Sequence, residues 1–167
     1  MTLFEPLTLT GRHVILEPLK HDHHDDLVAA AQDGELWKLW YTSVPAPDGM
    51  AAEIDRRLAM QEQGSMLPFT TRLIDPATGG PGRIIGMTTY CNIDAGTPRV
   101  AVAFCTHWLN HQSREAIARL GAKQDGVLRS HRRTSDGVLR DTVVFSILEH
   151  EWAMVRNGLE HRLAKHA

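Results

Sequence analysis

The chain of 167 residues predicts an α/β fold in which helices are layered on a sheet, and three observations predict it. Val100 to Cys105 is a near-continuous apolar run, the pattern of a strand covered on both faces, and a short helix and another strand follow it. Elsewhere the apolar period switches between 2 and 3.6. The resulting order is strand, two helices, three strands, short helix, two strands, helix. At 43% hydrophobic and 23% charged residues the composition is that of a globular protein, and the length suits a single domain spanning 1–167.

Arg12 to Leu19 reads as the first strand, closed by Pro18. His21 to Gln32 suits a helix with Leu27, Ala30 and Ala31 on one face. Asp22, Asp25 and Asp26 favour its first turn, where the helix dipole is positive. His21, His23 and His24 surround this start and read as solvent-facing. Gly34 breaks the helix, and ELWKLWYTSVPAP then places Trp37, Trp40 and Tyr41 before a Pro-rich turn. Asp48 is placed to cap a second helix with Met50, Ile54 and Leu58 inward, ended at Gly64. From Leu67 to Asp75, Phe69, Thr71 and Leu73 alternate with Thr70, Arg72 and Ile74, which is strand periodicity. DPATGGPG is a turn, Arg83 to Ile93 the next strand and DAGTP another turn, after which Arg99 begins the apolar run.

Past that run, Asn110 offers an N-cap, Ala116, Ile117 and Leu120 form the helical stripe, and Gly121 stands where a left-handed residue ends a helix. Val127 and Leu128 open the next strand. Asp136-Gly137 reads as a hairpin turn between Val127–His131 and Val138–Ile147. The last helix carries Leu148, Trp152, Val155 and Leu159 at helical spacing, acidic at its start (Glu149, Glu151) and basic in its tail. Ser113 stands out in the short helix. It shares a face with Ile117 and Leu120, and it lies in the first turn, where backbone N–H groups lack helical partners.

The segment THWLNHQSREAIARLGAKQDGVLR combines N-x-x-S, an apolar helix, L-G-A and G-x-L-R. It resembles the C-terminal motif of the GNAT-superfamily N-acetyltransferases, in the RimJ/RimL-like branch of ribosomal-protein N-terminal acetyltransferases. LTGRHVILEPL near the start and RDTVVFSILEHEW near the end fit the same pattern. The resemblance implies a mixed, mostly antiparallel sheet flanked by helices. It also implies direct transfer of an acetyl group from acetyl-CoA to a primary amine, at a protein N-terminus or on a small molecule. In RimL-like enzymes the serine matching Ser113 donates a hydrogen bond to the departing thiolate, and the asparagine matching Asn110 bonds the pantetheine arm. N-capping alone also accounts for Asn110, and both roles can hold, since a side chain that caps through its oxygen still offers its amide N–H₂. The family recognises its acceptor on the first two helices and their connection, so Trp37, Trp40 and Tyr41 are either core residues or the wall of that site.

One part of the family pattern is missing. There, the third strand of the central group leads into a Gly/Arg/Gln-rich loop and a long helix, whose backbone N–H groups hold the pyrophosphate, and then into a parallel strand. Here Arg99-Val100 resembles the start of the earlier strand and Ala101 to Thr106 the later one, fused without a break. A strand–loop–helix unit of roughly 30 residues is lacking, judged from typical element lengths. Gly79, Gly80 and Gly82 precede a strand and read as a plain turn. Arg114, a cofactor-binding candidate beside Asn110 and Ser113, and Arg119 offer charge but no fixed array of donors. Weak acetyl-CoA binding is therefore expected, and a catalytically inactive, shortened domain serving as a binding module is the alternative function.

Other features narrow the field. A net charge of −2 implies no affinity for nucleic acid, and Arg129, His131, Arg132 and Arg133 read as a solvated basic cluster. Cys91 and Cys105 lack metal spacing and point to a reduced, cytoplasmic setting; neither a signal peptide nor a membrane span is expected. His107 and His111 are four apart, but the cap at Asn110 puts them on different elements, so no metal is assigned. Glu17, Glu35 and Glu53 all stand as candidate general bases. The partners expected are an amine acceptor and, in a homodimer, a second copy of the chain.

Overall fold

The computed structural model describes residues 7–40, 44–91, 101–134 and 136–165. The chain divides into two compact units, Met1–Thr97 and Pro98–Ala167, each built around its own antiparallel sheet.

In the first unit β1 (Leu9–Thr10), β2 (Val14–Pro18), β3 (Met66–Ile74) and β4 (Pro81–Cys91) pair in that order, every pair antiparallel. Two helices separate β2 from β3: α1 (His24–Gln32), which packs on β4, and α2 (Met50–Glu62), which packs on β3. Leu27 and Ala31 of α1 and Met50 and Ile54 of α2 meet Leu19 and Ile84 in the core, with Leu58 partly buried beside them. These are inward positions that the helical period picks out, and burying each large apolar side chain stabilises the unit by about 1.5–3 kcal/mol. Two local readings change. The short strand β1, with Leu9 opposite Leu16, carries no apolar pattern and was not expected. Asp48 does not cap α2. Pro47 fixes φ for a 3-10 turn over Pro47–Gly49, so Asp48 falls inside the first turn, and no side chain caps Gly49.

The second unit contains β5 (Ala101–His107), α3 (His111–Arg119), β6 (Lys123–Arg133), β7 (Leu139–Leu148) and α4 (Trp152–Lys165). Its sheet order is β5-β7-β6, with Phe104 opposite Phe145 and Val127 opposite Val143, again all antiparallel. Val143, Phe145 and Ile147 alternate along β7 and form the core with Ile117, Ala122, Phe104, Val127 and Val155. Gly121 (φ +93°) ends α3 as expected, and Val155 lies so close that a Cβ at 121 would sit 3.1 Å from its Cγ2. β6 starts four residues earlier than Val127; its exposed, polar first residues carry no apolar signal. Trp152 was expected to dock α4 but is 48% exposed. Leu148, expected on the same face, ends β7 and is 42% exposed, and a 3-10 turn over Glu149–Glu151 separates it from α4, so Val155 is left to pack on the core, with Leu159 half-buried one turn further on.

Positions 92–100 alone separate β4 from β5. That length cannot hold a further strand, a loop and a long helix, since an average helix by itself takes about 11 residues. Arg99 and Val100 lie outside the described residues.

Candidate functional site

The turn from β5 into α3 is organised by His107, the last residue of β5. Its Nδ1 accepts the Leu109 N–H at 3.0 Å, and its carbonyl accepts the Asn110 N–H at 2.9 Å. Trp108 N–H donates to the Asp141 carbonyl at 3.1 Å, tying the turn to β7. Asn110 then caps α3: its Oδ1 accepts the Ser113 N–H at 3.0 Å and its carbonyl the Arg114 N–H at 3.0 Å. The cap satisfies one of the amides a helix start leaves without partners, and it spares the Asn110 side-chain N–H₂.

Ser113 is half-buried in this first turn, and its hydroxyl has no hydrogen-bond partner among the described residues. Arg114 lies with its guanidinium 4.2 Å over the Trp108 ring, and its Nη1 donates to the Trp108 carbonyl at 3.1 Å. Its Nε is buried without a partner. An open groove of about 310 Å³ runs beside it, lined by His111, Arg114, Glu115, Ala118, Gln124 and Phe145. Asn110, Ser113 and Arg114 are thus brought together as expected. A hydroxyl donor at a helix start suits a negative charge that forms on an adjacent atom.

His107 and Trp108 carry the geometry of this turn, and sequence reasoning gave neither a role. His107 is 8% exposed, and burial, helped by the Arg140 charge and opposed by Asp141, lowers its pKa. The faint signal was an N-cap placed directly after a strand, which demands a tight turn held by something local.

The remaining candidates are more dispersed. Trp37 is half-buried against the first unit's core, Trp40 is 66% exposed, and Tyr41 lies outside the described residues. The three candidate bases, also in the first unit, are all ion-paired: Glu17 with Arg72, Glu35 with Lys38 at 2.6 Å, and Glu53 with Arg56 and Arg57 at 2.8 and 2.7 Å. Hydrogen bonding from Arg56 lowers the Glu53 pKa, the wrong direction for a base working near neutrality. His23 does not face solvent. It is 6% exposed, with Nδ1 2.8 Å from Thr70 Oγ1 and Nε2 3.4 Å from Glu17 Oε1. A 3-10 turn over His21–His23 rotates it inward. The basic cluster is partnered within its hairpin, Arg129 with Asp141 at 2.9 Å, His131 with Thr142 Oγ1 at 3.0 Å and Arg133 with the Gly137 carbonyl at 2.9 Å. Among the described residues no His, Cys, Asp or Glu group is arranged to hold a metal, and no helix is long and apolar enough to cross a membrane.

No protein-family model and no curated protein matches the chain. Solved structures do. A probable acetyltransferase of the GNAT family from Chromobacterium violaceum superposes with a TM-score of 0.72 at 19% identity, over 90% of this chain and 90% of that one. A GCN5-related N-acetyltransferase from Brucella melitensis superposes with a TM-score of 0.68 at 24% identity, over 92% of this chain and 83% of that one. Mycobacterium smegmatis RimJ, solved in complex with CoA-disulfide, gives 0.69 at 17% identity, over 87% and 89%. The element order, the antiparallel sheets and these superpositions agree: this chain has the fold of the GNAT-superfamily acetyltransferases.

Proposed function

We propose that the chain, as one domain over 1–167, is an N-acetyltransferase of the RimJ/RimL-like branch, acting in the cytoplasm, alone or as a homodimer, on a primary amine at a protein N-terminus or on a small molecule. The observation that carries this reading is the unpartnered Ser113 hydroxyl in the first turn of α3, on a helix start that Asn110 caps. That a RimJ structure of the same fold holds a CoA derivative supports the choice of cosubstrate. Acetyl-CoA supplies the acetyl group and a thiolate leaving group.

Ser113 donates a hydrogen bond at the sulfur as negative charge forms there, aided by the positive end of α3. Asn110 uses Oδ1 for its cap and keeps its N–H₂ for a carbonyl of the pantetheine arm. Arg114, fixed on Trp108, supplies positive charge beside them. In the first unit Trp40 and Tyr41 are the proposed acceptor wall, with Trp37 anchoring the segment in the core. Asn110 and Ser113 suit the pantetheine and thioester end of the cosubstrate. For the pyrophosphate end, no comparable set of donors is assigned among the described residues, and positions 92–100 are too few for the family's loop and helix. This second observation favours the alternative of a shortened, non-catalytic binding domain.

Acetyl transfer to peptide N-termini and to small amines, followed by CoA release, decides between them. Ser113→Ala should lower kcat at least tenfold with a smaller change in the acetyl-CoA KM, because the hydroxyl acts on charge present only in the transition state. Measurable activity with an unchanged kcat in that variant would remove Ser113 from the mechanism.

A further inference from the structure

We propose that His107 is a positioning residue whose imidazole Nδ1 and backbone carbonyl together fold the turn that sets Asn110, and through it Ser113, in place. The inference rests on the reading of Ser113 given above. The chain of contacts is short and continuous. Nδ1 holds the Leu109 N–H at 3.0 Å, the carbonyl holds the Asn110 N–H at 2.9 Å, and Asn110 Oδ1 holds the Ser113 N–H at 3.0 Å. The first of these contacts runs from a side chain to the amide two residues on, which is the geometry of an Asx-turn with imidazole in place of a carboxamide. A free backbone chain would give Asn110 many directions. Two bonds from one buried residue leave it one.

The arrangement works only while Nδ1 is an acceptor. The neutral ring therefore carries its proton on Nε2, and a second proton would turn Nδ1 into a donor facing the Leu109 donor. The charged groups acting on His107 come from β7, Arg140 disfavouring the cation and Asp141 favouring it; α3 contributes none among the described residues. Burial is the largest influence and disfavours the cation, and Arg140 adds to it. Acidification should loosen the turn before the domain unfolds.

Two variants test this. His107→Asn keeps an oxygen acceptor for the Leu109 amide and cannot titrate. His107→Leu keeps bulk and offers no acceptor. Hydrogen exchange of the Leu109 and Ser113 amides, corrected for intrinsic rates, should show protection in the wild type at neutral pH that falls on acidification. His107→Asn should retain it across that range, and His107→Leu should lack it throughout. In parallel, kcat should fall about tenfold or more in His107→Leu, since misplacement by about 1 Å can cost 10²-fold. In His107→Asn it should stay within about threefold, losing the acid limb of the wild-type pH profile. Unchanged Ser113 protection in His107→Leu, or an Asn variant no better than the Leu one, overturns the proposal. If the wild type transfers no acetyl group, the acetyltransferase reading fails, while the exchange data still decide what His107 does.

Discussion

At the residue scale the site is a sequence of short polar contacts, and the sequence displayed only part of it. Asn110 was legible because a capping residue announces itself by position, just ahead of a helical stripe. Asn110→Ala should therefore cost about 1 kcal/mol in denaturant unfolding. Asn110→Asp separates its two roles: the carboxylate still caps Ser113 N–H, so stability should hold, while the lost N–H₂ should weaken any pantetheine ligand. Ligand affinity and stability both unchanged in Asn110→Asp would show that Asn110 only caps. His23 was not legible, because Thr70, the residue its Nδ1 meets, lies on a strand 47 residues further on. Burial is the largest influence on it and lowers its pKa below 6.5, with Arg72 and Lys20 acting the same way and Glu17 and Asp22 opposing. The folded state thus takes up its proton at lower pH than the unfolded state. Stability should be unaffected by His23 above about pH 6.5 and fall as pH drops below it, by at most about 1.4 kcal/mol per pH unit, until the folded pKa is reached. His23→Gln should flatten that limb in a thermal-unfolding series, and an unchanged slope would mean that His23 is not the group responsible.

At the scale of elements, the two helices of the first unit follow their periodicity closely, since Leu27, Ala31, Met50 and Ile54 all reach the core, whereas in α3 only Ile117 of the expected stripe is buried and Ala116 and Leu120 are exposed. Three of the departures fall where a 3-10 turn precedes a helix. Three residues of tighter winding displaced Asp48 from the cap and His23 from solvent, and a third such turn cut Leu148 off from α4; nothing in an apolar pattern marks such a turn. The contact that docks α4 is instead Val155 on Gly121. Gly121→Ala would place a Cβ at a φ of +93° and 3.1 Å from Val155, so it should destabilise by about 1–2 kcal/mol. Val155→Ala should cost about as much by loss of packing. The double variant should cost measurably less than the sum, because shortening Val155 makes room for the new methyl. Strict additivity in denaturant melts would place the two residues apart.

At the scale of the whole molecule the order of elements was readable and the division into two compact units was not, since both units draw on the same apolar vocabulary. What the order leaves out bears on the proposed affinity for acetyl-CoA. A pyrophosphate carries concentrated negative charge, and the family meets it with consecutive backbone N–H groups at a helix start, all aimed at one point. The helix start of α3 is already committed to Asn110 and to the proposed thiolate role of Ser113. Arg114 can add charge, but its guanidinium is stacked on Trp108 and bonded to a carbonyl. Each charge-assisted hydrogen bond contributes about 1.5–3 kcal/mol, so two missing ones weaken binding by about 10²–10⁴-fold. Calorimetry should accordingly give a dissociation constant for acetyl-CoA above the micromolar range. Acetyl-pantetheine, which lacks the pyrophosphate, should bind within about tenfold of acetyl-CoA, whereas an intact phosphate site would separate the two by orders of magnitude. Arg114→Ala should narrow whatever gap remains and leave acetyl-pantetheine binding nearly unchanged. A micromolar or tighter constant for acetyl-CoA, with a large preference over acetyl-pantetheine, would mean that positions 92–100 or other residues rebuild a phosphate site, and the shortened chain would then hold its cosubstrate as a full-length member does.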